Sequence, residues 1–274
     1  MLINDPSFPY ISGNSFSIRC KYLWENGKLT KNSFIENDWV FVRTDDIHAF
    51  FSSKQIPDSF TILTHNGDSP VNQSHLQFIE DVRVKKWFAQ NLEISHPKIK
   101  SIPIGIANSN YSHGNAKTLT TINKENISKS QLLYVNFTVG TNQTIRQKCL
   151  DETGLKICND THGGWHGFAG GYKLPNTFEG YLRDMKKSYF TISPRGNGLD
   201  CHRTWEALYM QCIPIVIKSS ITEHHSGFPF LVLNDWSEFK NLHLSKDLYQ
   251  NLWKNFDISE LYAENYIRKY IRCQ

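Results

Sequence analysis

"FTISPRGNGLDCHRTWEALYMQCIPIVI", residues 190–217, is the stretch of this 274-residue chain that decides its fold. An apolar run ends at Ser193 and passes into a short glycine-rich loop carrying Arg195. An amphipathic helix beginning near Cys201 comes next, and the apolar run "IPIVI" closes the unit. Strand, loop, helix, strand is the repeating unit of a parallel sheet with helices on its faces. Loops at the carboxyl ends of such strands are where these sheets bind ligands.

The loop's composition points to an anion. Gly196 and Gly198 let the backbone come close to a ligand or take positive φ, with Asn197 between them. The helix that follows presents unpaired N–H groups and the positive end of its dipole. Arg195 adds a charge with bidentate geometry for phosphate oxygens. Within the helix, Trp205, Leu208 and Cys212 form a core stripe, while Arg203 and Glu206 share the opposite side. A carboxylate placed like Glu206 accepts hydrogen bonds from the vicinal hydroxyls of a ribose. Arginine for phosphates and glutamate for ribose predict a nucleotide site.

Working outward, the same alternation recurs. "WVFVR" (39–43) and "FTILT" (60–64) read as buried strands with a short helix, "DDIHAFFSSKQ", between them. Residues 75–92 place Leu76, Ile79, Val82, Trp87 and Leu92 at mostly helical spacing, and "IKSIPIGI" follows as a strand. Residues 109–131 turn polar and predict a crossing between domains. The pattern then restarts with strand "LLYVNF", helix "TNQTIRQKCLDETG", strand "LKICND", a glycine-rich loop over 161–177 and helix "FEGYLRDMKKS". After the decisive unit come strand "FLVLNDW" and a helix over 248–271. The expectation is an α/β protein of two Rossmann-like lobes facing a cleft. Residues 1–110 form the acceptor-side lobe, 111–130 the linker, and 131–274 the nucleotide-binding lobe. Its last helix is placed to pack back on the first lobe.

Composition narrows the partners. Thirty Lys and Arg against 26 Asp and Glu give a net charge of +4 with no long basic run, which suits a small anion and predicts no nucleic-acid partner. The six cysteines show neither C-x-x-C nor a disulfide framework. His162 and His166 are separated by residues that include glycine, which argues against a helical metal pair, so no metal site is predicted. The opening residues show no signal-peptide pattern and no stretch reaches the ~18 apolar residues of a membrane span. The sequon at Asn136 lies in a predicted strand, where a glycan would disrupt the core. The expectation is a soluble, cytoplasmic protein.

Residues 193–216, "SPRGNGLDCHRTWEALYMQCIPIV", resemble the exostosin family of glycosyltransferases, whose signature is a P-R-G-x-G loop, a helix with R-x-x-E-A-L and a C-I/V-P-V/I strand. Weaker similarity extends to "ILTHNGDSP", "SIPIGIANSNYSHGN" and "LLYVNFTVGTNQTIR". The resemblance implies a two-lobed enzyme of the glycosyltransferase B type, with a UDP-sugar donor, inverting chemistry and no required cofactor. The absence of a D-x-D triplet agrees with that. Carried over, Arg195 meets the diphosphate and Glu206 the ribose. Family members that carry an N-terminal membrane anchor and a longer first lobe differ from this chain, which fits a short soluble form, bacterial or virus-encoded. Thr141 and Asn142 cap the helix after "LLYVNF", with Arg146 one turn in, as a second set of phosphate donors. The base that deprotonates a glycan acceptor is expected from "THNGDSP": Asp68 first, its pKa raised by cleft closure, then His65. The sugar is a pentose such as xylose, or a hexose. The rival readings are a non-catalytic nucleotide- or glycan-binding module, and a dinucleotide oxidoreductase using "GNGLDC". The latter lacks the third glycine and a downstream acidic residue at a strand end.

Overall fold

The computed structural model describes residues 4–157 and 177–272. Ten strands lie in two sheets among these residues. The first sheet holds β1 (Tyr22–Glu25), β2 (Lys28–Lys31), β3 (Trp39–Arg43), β4 (Phe60–His65), β5 (Val84–Ala89) and β6 (Ile99–Ser101) in the order β2-β1-β3-β4-β5-β6. Only the β1–β2 hairpin is antiparallel. The second sheet is wholly parallel, in the order β10-β9-β8-β7, from β7 (Gln131–Tyr134), β8 (Ser188–Ile192), β9 (Ile213–Ile217) and β10 (Leu231–Leu233). In both sheets, successive parallel strands are added one neighbour at a time, so their carboxyl ends share an edge.

The α-helices are α1 (Gly13–Ser17), α2 (Ile47–Phe51), α3 (Leu76–Ile79), α4 (Ala116–Lys124), α5 (Gln143–Thr153), α6 (Phe178–Lys187), α7 (His202–Tyr209), α8 (Ser220–His224), α9 (Lys246–Trp253) and α10 (Ala263–Tyr266). Alternation along the strands divides the core. Val40, Val42 and Ile62 pack on one face with Ile47 and Phe50 of α2. Trp39, Phe41, Leu63 and Phe88 turn to the other face. There they join Trp205, Leu208 and Tyr209 of α7 and Leu182 and Met185 of α6 in one continuous cluster. The two sheets therefore share a core, with α7 between them. A third cluster, including Phe190, Ile192, Ile213 and Ile215, covers the far face of the second sheet.

Four stretches depart from the sequence reading. Residues 75–92 hold only the single turn α3 and then strand β5. Val84, Trp87, Phe88 and Ala89 are buried on both faces of the sheet, while Val82, counted toward the helix, is 95% exposed. The polar stretch 111–130 is not all linker. Asn115 caps α4 by accepting from Lys117 and Thr118 N–H groups, and Leu119 and Ile122 enter the shared core. Arg183 of α6 grips Glu125 through two hydrogen bonds of 2.8 and 2.7 Å, and Lys186 donates to the Ile122 carbonyl at the end of α4. The helix expected over 248–271 is broken into α9, a 3-10 turn at Ile258–Leu261, α10 and a π-helical turn at Ile267–Arg272. Of the strand expected at 155–160, residues 155–157 are irregular; the remainder, with the glycine-rich loop through residue 176, lies outside the described residues.

The end of the chain returns to its beginning. Tyr262 bridges to Tyr10, and the Ala263 N–H donates to the Pro9 carbonyl at 2.9 Å. Buried Arg19 pairs with Asp5 at 2.8 Å and with Glu264. No helix among the described residues is long and apolar enough to cross a membrane.

Candidate active site

The carboxyl edges of both sheets meet around two cavities. The loop after β8 is held from α5, whose N-cap is Asn142. Asn142 accepts from the Ile145 N–H at 3.3 Å and donates through Nδ2 to the Gly196 carbonyl at 2.9 Å. Arg146 Nε donates to the Arg195 carbonyl at 3.1 Å, and Nη1 to the Thr138 carbonyl at 2.6 Å. From the other sheet, the Asn91 side chain packs so tightly against Gly198 that a Cβ there would lie 2.7 Å from its Nδ2. Neither Gly196 nor Gly198 has positive φ. Gly198 is needed for this close approach, not for backbone handedness.

Asp200 joins the halves. Its Oδ2 accepts from the Ile104 N–H at 2.8 Å and Trp205 Nε1 at 2.7 Å, and its Oδ1 from the Cys201 N–H at 2.8 Å. Its own N–H donates to Asn91 Oδ1 at 3.0 Å. Burial outweighs these donors and pushes its pKa up to about 6.

Behind the loop is a cavity of about 210 Å³ lined by Thr141, Arg146, Arg203, Glu206, Tyr181 and the 196–198 backbone. Arg146 and Arg203 set their guanidinium carbons 5.8 and 5.7 Å from the Phe137 ring centroid. Neither makes an ion pair among the described residues. Arg203 Nε donates to the Asn136 carbonyl at 2.8 Å, but its Nη1 is buried with no partner among the described residues. Burial, reinforced by the charge of Arg203, lowers the Arg146 pKa to about 10. Two like charges share one ring, and the Glu206 carboxyl is the acidic side chain closest in charge effect to Arg203 in this cavity. Beside them, Glu206 accepts from the Tyr181 hydroxyl at 2.8 Å, and burial raises its pKa to about 7 against that bond and the Arg203 charge.

Arg195 lies elsewhere. Its guanidinium sits 3.7 Å from Glu93, donates to the Asn197 carbonyl at 3.1 Å, and lines a separate cavity with Lys148 and Lys218. The cations of the loop cavity are Arg203 and Arg146 instead. The reason is tertiary: Glu93, just past β5, draws Arg195 to the other side of the loop.

The second cavity, about 520 Å³, is within the range of small-ligand sites and follows the edge of the first sheet. Asp45, Asn66, Asp68, Gln90, Asn108 and Tyr111 line it. The two cavities share Asp68, Ile104, His113 and His202. Asp68 is exposed at this seam and accepts from Asn197 Nδ2 across it at 3.2 Å, so the desolvation expected for it is absent here. His65 is buried, with Nδ1 2.9 Å from Asn66 Oδ1 and Nε2 3.1 Å from the Pro103 carbonyl. Both ring nitrogens are engaged, and burial lowers its pKa, which suits a structural ring rather than a base.

Sequence reasoning missed His113 and His202. His202 stands in the decisive stretch, but nothing in its spacing marks it. Its setting comes from the other sheet: Nδ1 lies 2.8 Å from the Gly105 carbonyl. Gly105 itself, at φ +66, abuts the Ile11 carbonyl so closely that a Cβ would lie 2.0 Å from its oxygen. Among the described residues, no group of three or more His, Cys, Asp or Glu is placed to hold a metal ion. Comparison with protein-family models finds no match, and neither does comparison with curated proteins.

Proposed function

We propose that the protein is an inverting, metal-independent glycosyltransferase of the B type that moves a sugar from a UDP-sugar to a glycan hydroxyl. The observation that carries this reading is the pair of guanidiniums behind the Gly196–Gly198 loop, buried Arg146 and half-buried Arg203, neither in an ion pair among the described residues, with Glu206 in the same cavity. Fixed, preorganised cations stabilise charge developing on a departing diphosphate without reorganisation, a term worth ~3–4 kcal/mol per donor. The choice of UDP comes from the family resemblance of residues 193–216. The second cavity supports a hydroxyl-rich acceptor, because its side-chain amides and carboxylates are of the types that hydrogen-bond hydroxyls. The test is release of UDP from UDP-xylose, UDP-glucose and related donors by purified protein, with calorimetry for UDP itself. Absence of both binding and turnover would sink the reading.

One observation favours the rival reading, a non-catalytic binding module: neither Asp68 nor His65 is poised as a base in this structure. UDP binding without turnover of any donor, in the presence of a broad set of glycan acceptors, would establish it.

The Glu206 carboxyl gives the donor site a pH signature. A carboxylate accepts two ribose hydrogen bonds and its protonated form fewer. With its pKa near 7, affinity for UDP-glucose should rise as pH goes from 6 to 8. That donor has no phosphate titrating in the range. Glu206→Gln should bind more weakly at pH 8 and lose the slope. An unchanged slope in the variant would remove Glu206 from the site.

A further inference from the structure

The seam between the cavities holds a proton acceptor that neither the resemblance nor the sequence pattern marks. His202 opens α7 and lines both cavities. The Gly105 carbonyl can only accept, so the contact of 2.8 Å places the proton on Nδ1 and leaves the lone pair on Nε2. Nε2 has no hydrogen-bond partner among the described residues, in contrast to the engaged nitrogens of His65. The acceptor of the tautomer is itself fixed, because Gly105 is pressed against Ile11 and the adjacent Ile106 N–H bonds to the Ile11 carbonyl at 2.8 Å.

Resting on the glycosyl-transfer reading, we propose that His202 Nε2 is the base that takes the proton of the attacking acceptor hydroxyl. The acceptor oxygen, entering from the larger cavity, forms a bond to sugar C1. The bond from C1 to the β-phosphate oxygen breaks, and its electron pair leaves on UDP beside Arg203. The hydroxyl proton ends on Nε2 and passes to solvent when products depart. His113, whose ring centroid is 6.2 Å away, and His65 face the ring, Asp68 and Asp200 share its walls, and Arg203 follows it on α7. Burial lowers the His202 pKa to about 4, with the His113 and His65 charges adding to the effect, so the lone pair is available throughout the neutral range. The Asp68 carboxylate at the same seam stabilises the imidazolium formed during transfer, a supporting role that replaces the base role expected for it.

His202→Asn tests this, because an asparagine amide can still donate to the Gly105 carbonyl while offering nothing at the Nε2 position. The variant should keep its melting temperature and its UDP affinity within about threefold, and lose about 100- to 10,000-fold in kcat. In His202→Ala, added imidazole should restore part of the lost kcat in proportion to its free-base concentration, which a merely structural histidine would not show. If wild-type protein turns over no donor, the transfer reading itself fails. If wild type turns over and His202→Asn matches its kcat, or if His202→Ala folds, binds UDP and ignores imidazole, the base assignment alone is overturned.

Discussion

Replacing Arg203 with methionine should weaken UDP binding by about 10- to 100-fold while changing the stability of the ligand-free protein by no more than about 1 kcal/mol. The first half follows from charge-assisted hydrogen bonds, each worth ~1.5–3 kcal/mol, that the buried Nη1 is free to give a phosphate oxygen. The second follows from what the arginine does without ligand. Its one hydrogen bond among the described residues goes to the Asn136 carbonyl, and its charge is repelled by Arg146 across Phe137 while favouring the Glu206 carboxylate, two effects that offset. A methionine keeps the apolar contact with the ring, removes both charge effects and removes the unpartnered donor. Sites that hold groups in such tension are maintained for binding rather than for stability. Calorimetry with UDP and thermal melting measure both halves. Arg195→Ala is the control, since its pairing with Glu93 is a partly exposed contact worth ~0–1 kcal/mol. If Arg195→Ala abolishes UDP binding and Arg203→Met does not, the assignment of cations is wrong.

Asp200→Ala is expected to have the largest effect on stability. It leaves the Ile104 and Cys201 N–H groups and the Trp205 indole N–H without their acceptor where the two sheets meet. Unsatisfied buried donors cost ~1–3 kcal/mol each, so a loss of roughly 3–5 kcal/mol is expected, or a fall of about 6–20 °C in Tm. The carboxyl also leaves a linkage signature. Its pKa is raised to about 6 in the folded state, above the ordinary carboxylate value, so the native protein binds this proton more tightly than the unfolded chain does. Its contribution to stability is fully present below about pH 4 and is lost as pH rises through about 6. Asp200→Asn should lack that slope in the difference between the two melting profiles. A wild-type profile identical in shape to that of Asp200→Asn would contradict the assignment, as would an Asp200→Ala protein that melts with wild type.

Much of the second sheet could be read from the chain, because its elements are locally determined. Strands β8 and β9, the helix α7 between them and the stop at Gly154, which takes φ +71 at the end of α5, all follow from apolar runs, caps and glycine. Strand β5 was hidden by its own burial. A strand covered on both faces shows no alternation, and Leu76 and Ile79 ahead of it continue a helical spacing by coincidence. Helix α4 was obscured by polar residues, although Leu119 and Ile122 lie three apart within it and both reach the core.

The site was legible as a loop and illegible as a set of directions. Arginine and glycines after a strand indicate an anion site, yet Arg195 and Arg203 are equivalent cations until Glu93 arrives from the other sheet and claims one. The same holds for the bases. His65 sits at a strand's carboxyl end as expected, but the Pro103 carbonyl engages it, while the Gly105 carbonyl, two residues further on, engages only one ring nitrogen of His202. Both outcomes are fixed by backbone oxygens that no spacing in the sequence reveals.

The most direct test of the central claim is a crystal structure of the protein with UDP. The pyrophosphate should lie within hydrogen-bonding distance of Arg203 Nη1, behind residues 196–198, with the ribose at Glu206 and the β-phosphate open toward His202. UDP seated instead in the cavity lined by Arg195, Lys148 and Lys218, with Arg203 Nη1 still unpartnered, would contradict the account.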